Sequence, residues 1–102
     1  MNHSYYILKG QTPTLARDVL HWAEWFETAN RIVKQTVFAN GTRVSTVFLG
    51  IDHSFSNGPP LLFETMVFGG PYHGEEDRYT TWDEAEAGHA AIVARLSQGM
   101  DS

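Results

Sequence analysis

One stretch constrains the fold more than any other: Arg43-Val44-Ser45-Thr46-Val47-Phe48-Leu49-Gly50, running on into Ile51-Asp52-His53. It is rich in β-branched and aromatic residues and carries no charge between Arg43 and Asp52. Such a run suits a central strand covered on at least one face. A second run, 61–68, sets Leu61, Phe63, Thr65 and Val67 against Leu62, Glu64, Met66 and Phe68. It is expected to lie beside the first, with Glu64 as its single charge.

The flanking segments supply the other elements. Tyr5-Tyr6-Ile7-Leu8 reads as a short strand, broken by Lys9-Gly10-Gln11-Thr12-Pro13. Asp18 is a good N-cap for a helix from Val19, and Asn30 a plausible stop. Leu15, Val19, Trp22, Ala23 and Phe26 recur at spacings of three and four, with Trp25 beside that stripe. Asn40-Gly41 between two β-prone runs signals a hairpin. A two-residue loop pairs Ala39 with Thr42. Val37 then lies opposite Val44, Gln35 opposite Thr46 and Val33 opposite Phe48, on the face expected to meet the helices. Ile32, Lys34, Phe38, Arg43, Val47 and Leu49 take the other face. The segments 53–60 and 69–78 read as loops. Thr81 with Glu84 forms a capping box for a second helix, whose stripe is Trp82, Ala85, His89, Ile92, Val93 and Leu96. Gly88 inside it implies a close approach to a neighbouring element.

These elements make a single domain over residues 1–102, with a flexible tail from about 98. The expected class is α+β: a mainly antiparallel sheet of about four strands, in the order β-α-β-β-β-α, with both helices on one face. A second copy would cover the other face, giving a homodimer or higher homo-oligomer.

Composition excludes several function classes. Twelve acidic against seven basic residues give a net charge of −5, which disfavours long nucleic acid. There is no cysteine, hence no disulfide framework and no thiolate zinc site. No apolar stretch approaches the roughly 20 residues that span a bilayer, and the first residues do not read as a signal peptide. Thirteen aromatics exceed what a small core needs, which points to a binding face or an interface.

The segments Trp22–Glu27, Ser45–His53, Pro59–Gly70 and Arg78–His89 resemble a family of small uncharacterised proteins of tailed bacteriophages and prophages. The resemblance runs from about Tyr5 to Leu96. It implies a phage accessory protein made in the cytoplasm of a bacterial host, and it assigns no activity to any residue. Proteins of that class often neutralise host factors or host signalling nucleotides.

No catalytic motif is present. Ser45 and Ser54 lie outside any G-x-S-x-G elbow, and His53 and Ser54 point to opposite faces of a strand. Asp52, His53, Glu64, His73 and His89 lack metal-ligand spacing, so no metal and no cofactor is expected. His89 sits on the apolar stripe and reads as a core histidine bonded to Glu64 or to a hydroxyl of Ser45 or Thr46. Glu64 either meets a ligand or bonds Arg43, Arg78 or His89. Arg78, Thr80 and Thr81 at the second helix offer an anion site, or simply its cap. Trp25, Phe55 and Tyr72 are the aromatics placed for exposed stacking. The candidate ligand-binding set is therefore Trp25, His53, Phe55, Glu64, Tyr72, Arg78 and Thr80. The expected function is a non-enzymatic counter-defence sponge for a small nucleotide-derived signal. The alternatives are an acidic protein–protein inhibitor, and a small hydrolase or metal enzyme using His53, Glu64 and His89.

Overall fold

A computed structural model describes residues 5–54 and 57–100. The chain is α+β and mainly sheet. A hairpin of β1 (Tyr6–Lys9) and β2 (Thr12–Leu15) precedes α1 (Val19–Thr28). Then come β3 (Ile32–Val37), β4 (Arg43–Phe48), β5 (Phe63–Phe68), β6 (Glu76–Tyr79) and α2 (Trp82–Met100). The last four strands form one antiparallel sheet in the order β3-β4-β5-β6.

The element order carries two more strands than the expected β-α-β-β-β-α. Thr12-Pro13-Thr14-Leu15 turns back on β1 instead of opening the helix, with Lys9 paired to Thr12. Leu15 therefore leaves the helical stripe and is exposed. The acidic end of the expected loop 69–78 instead pairs with β5: Tyr79 opposes Phe63 and Arg78 opposes Glu64. Partner strand and core contact override local composition there. At the other end, α2 runs on through Met100, past the start of the expected tail.

Strand alternation on β4 and β5 follows the sequence pattern. Val44, Thr46, Phe48, Phe63, Thr65 and Val67 are all fully buried, on one face of the sheet. α2 lies on that face through Ala85, His89, Ile92 and Leu96. Its capping box forms as read: the Glu84 N–H donates to Thr81 Oγ1 at 3.1 Å, and the Thr81 N–H donates to Glu84 Oε1 at 3.2 Å.

β3 departs from expectation by one residue. The loop is Ala39-Asn40-Gly41 rather than Asn40-Gly41 alone. The Gly41 N–H bonds the Phe38 carbonyl, and the Phe38 N–H bonds the Thr42 carbonyl at 2.8 Å. Only Gly41 takes a positive φ, whereas a two-residue type I′ turn needs one at Asn40 too. Asn40 instead accepts the Thr42 N–H on its side-chain oxygen. Thr36 thus pairs with Val44 and Val37 with Arg43. A one-residue slip exchanges the faces, so Thr36 and Lys34 point to α2 while Gln35 and Val37 point away. A bulge between Ile32 and Lys34 restores Val33 to the core beside Phe48.

α1 is peripheral, with no buried residue. Trp22 and Phe26 close over Gly50, where an added Cβ would lie 3.0 Å from Trp22 Nε1. Trp25, expected beside the stripe, meets Phe48 edge-on at 5.8 Å between ring centroids. Both helices thus contact the same face of the sheet. On the other face, Gln35 Nε2 donates to Ser45 Oγ at 3.1 Å and the Arg43 guanidinium lies over Phe68.

Gly88 marks the close approach that its helical position implies: a Cβ there would overlap the Tyr79 ring. Gly88→Ala gains about 1 kcal/mol of helix propensity, and overpacking costs about 1–3 kcal/mol. The net expectation is a lower melting temperature, checked by calorimetry; an unchanged or higher value contradicts the packing.

Candidate functional site

The expected ligand-binding residues do not converge. Glu64 and Arg78 do meet, with Nε to Oε2 at 3.0 Å on the sheet face away from α2, and Glu76 flanks the guanidinium at 3.8 Å. Arg78 is one of the three structural partners the sequence offers Glu64, the others being Arg43 and His89. Thr80 belongs to the helix cap, its N–H donating to Glu84 Oε1 at 3.1 Å. His53 is half-buried after β4 and donates its backbone N–H to the Leu61 carbonyl. Its neighbour Asp52 holds that loop by accepting the N–H groups of Ser54 and Leu61. Desolvation pushes the Asp52 carboxyl up, but these backbone bonds, the Ser54 hydroxyl and the charge of His53 together outweigh it and hold the carboxyl below its usual range. Trp25 packs on Phe48. Tyr72 packs at the opposite end of the sheet, against the Val44–Val67–Ile92–Leu96 cluster. Phe55 lies outside the described residues. Glu64 and His89 are on opposite faces of the sheet, so the His53–Glu64–His89 alternative has no common site. Among the described residues, no three His, Cys, Asp or Glu side chains group to hold a metal.

A different set does converge. A groove of about 500 Å³ opens between α2 and β3, an edge strand of the sheet. It is lined by Lys34 and Thr36 from β3 and by Glu86, His89, Ala90, Val93 and Ala94 from α2. The alanines leave the volume open, and Val93 supplies an apolar wall. Lys34 makes no ion pair with any described carboxylate. A smaller depression, about 270 Å³, lies beside Gln11, Thr12, Pro13, Thr81, Trp82 and Asp83.

His89 forms the floor of the groove and is 1% exposed. Its Nε2 meets Thr36 Oγ1 at 2.8 Å and its Nδ1 meets Thr46 Oγ1 at 2.7 Å. Thr46 Oγ1 in turn meets Thr65 Oγ1 at 2.5 Å. A neutral imidazole has one donor and one acceptor nitrogen, and each hydroxyl has one proton to give. The chain is therefore satisfied in either direction with His89 neutral. Desolvation lowers the His89 pKa, and the Lys34 ammonium lowers it further. Tyr79 borders the same layer, and burial pushes its phenol up. Of the three partners the sequence offers His89, namely Glu64 and the hydroxyls of Ser45 and Thr46, the structure takes Thr46; Thr36 and Lys34 fall outside that set because of the slipped register.

No family model, curated protein or solved structure matches the chain.

The geometry sets a pH dependence. His89 binds its proton less readily folded than unfolded, so the unfolded state carries more protons as pH falls. Its contribution is full above the unfolded value of about 6.5 and declines below it. Urea unfolding from pH 8 to 5 is expected to show stability falling on the acid side, with a flatter profile in His89→Gln. Equal slopes in both proteins contradict this. For Glu64 and Arg78, partly exposed, a double-mutant cycle with Glu64→Gln and Arg78→Gln is expected to give a coupling of about 0.5–1 kcal/mol. No coupling would mean that the pair does not hold β6.

Proposed function

We propose that this chain is a non-enzymatic binding protein that sequesters a small nucleotide-derived signal, with the α2/β3 groove as its site. Its biological setting is that of a phage counter-defence factor in the cytoplasm of a bacterial host, read from the resemblance of its sequence segments. The observation that carries the binding reading is Lys34, a cation that pairs with no described carboxylate, standing beside an apolar wall with His89, bonded through both ring nitrogens, at its base. Ala90, Val93 and Ala94 suit the face of a planar base, Lys34 suits a phosphate, and Thr36 and Glu86 suit ribose hydroxyls or a ring amine.

Binding without turnover is supported by the state of His89. Both ring nitrogens are already bonded to threonine hydroxyls, so no free base faces the groove. The polyanion-mimic alternative has less support, because Glu75 is bonded by Arg95 and Glu76 lies beside Arg78.

Thermal unfolding against a panel of cyclic and ADP-ribose-like nucleotides tests the reading. A true ligand at about 100 times its Kd adds about 2.7 kcal/mol of stability and is recovered unchanged after denaturation. Lys34→Glu, at an exposed position, should abolish the shift while leaving the unliganded melting temperature within about 1 °C, as expected for a surface change. No shift across the panel, or conversion of the ligand, contradicts the proposal.

A further inference from the structure

β3 is one of the two edge strands of the sheet, the other being β6, and its backbone states what it can take. The Phe38 N–H is spent on the Thr42 carbonyl. Alternation along an antiparallel ladder then turns the backbone groups of Lys34 and Thr36 towards β4 and those of Gln35 and Val37 outward. Among the described residues, those outward donors and acceptors have no neighbouring strand. The Val37 side chain beside them is 65% exposed. The bulge between Ile32 and Lys34 and the lysine itself guard the start of the edge, which confines pairing to the stretch around Thr36.

We infer that this edge pairs with β3 of a second copy, antiparallel about a two-fold axis at Thr36. That register is self-complementary. Gln35 falls opposite the partner's Val37 and Val37 opposite the partner's Gln35, so both outward residues of each copy form reciprocal hydrogen-bonded pairs. Thr36 meets the partner's Thr36 in the close, non-hydrogen-bonded position, where threonine pairs are favourable. The axis is normal to the sheet, so both α2 helices stay on the same face of one continuous eight-stranded sheet. Each groove borders β3, and the two merge into a single trough across the axis.

The trough has a chemical consequence, which rests on the groove being the ligand site. Each copy brings Lys34, Thr36 and Glu86 to it. Two lysines related by a two-fold axis fit two phosphates related the same way, and two apolar walls fit two bases. The merged site therefore takes a dinucleotide with two-fold symmetry in preference to a mononucleotide. This dimer joins edges, unlike one made by covering the outer sheet face.

Light scattering coupled to size exclusion tests the pairing without any ligand. The expected result for the unaltered protein is a dimer. Val37→Pro removes only an outward N–H, and proline is tolerated on an edge strand, so a folded monomer is expected. Gln35→Asp with Val37→Asp sets like charges opposite and is also expected to give a monomer, while Gln35→Lys with Val37→Asp restores the dimer. A monomeric parent protein, or a dimer indifferent to all three variants, overturns the inference. Titration with a two-fold symmetric cyclic dinucleotide and with its mononucleotide half then tests the merged site. One dinucleotide per dimer, bound at least tenfold more tightly, is expected. Equal affinities with one mononucleotide per chain overturn the merged site while leaving the proposed groove intact; a dimer that binds neither overturns the groove and leaves the strand pairing standing.

Discussion

The hydrogen-bonded layer Thr36–His89–Thr46–Thr65 fixes how α2 sits on the sheet, and the rest of the molecule follows from it. Apolar contact alone leaves a helix free to slide by a turn over a flat sheet. Buried polar atoms do not, because each one left unpaired costs roughly 1–3 kcal/mol. Here the helix contributes one histidine and three strands contribute one threonine each. Only one position of α2 satisfies all of them.

The layer also divides the core. On one side Val44 and Val67 pack with Ile92 and Leu96; on the other Phe48, Leu62 and Phe63 pack with Ala85. The aromatic side continues outward through Trp25 and Trp82, and it is where α1 and the first hairpin attach. The histidine itself lies where the core meets the edge strand. Ala90 and Ala94 follow it on the helix, too small to close the space above β3, so the groove is a direct result of where the polar layer ends.

Much of this arrangement was legible in the residues. The charge-free run between Arg43 and Asp52 and the alternation at 61–68 locate the central strands. The Thr81–Glu84 box starts α2, and the stripe through His89 marks a core histidine, with Thr46 among the three partners offered for it. Asp18 capped α1 as expected, its carboxylate accepting the His21 N–H. What stayed hidden has one main cause. Asn40-Gly41 signals a two-residue turn, and the loop is one residue longer. The two-residue register turns Lys34 and Thr36 away from the helix, which is why the sequence does not mark them as site residues. The bulge at Val33 then compensated, which left the Val33–Phe48 contact correct for the wrong register. β6 was missed because Glu76 and Asp77 have poor strand propensity; the Arg78–Glu64 pair and the burial of Tyr79 outweigh it.

The most direct test of the central claim is the state of the His89 ring at neutral pH, read by long-range proton–nitrogen NMR correlation of the imidazole. Two threonine hydroxyls bonded to the two ring nitrogens predict a neutral ring, with one nitrogen protonated and the other an acceptor. A positively charged ring at neutral pH would contradict the polar layer beneath α2.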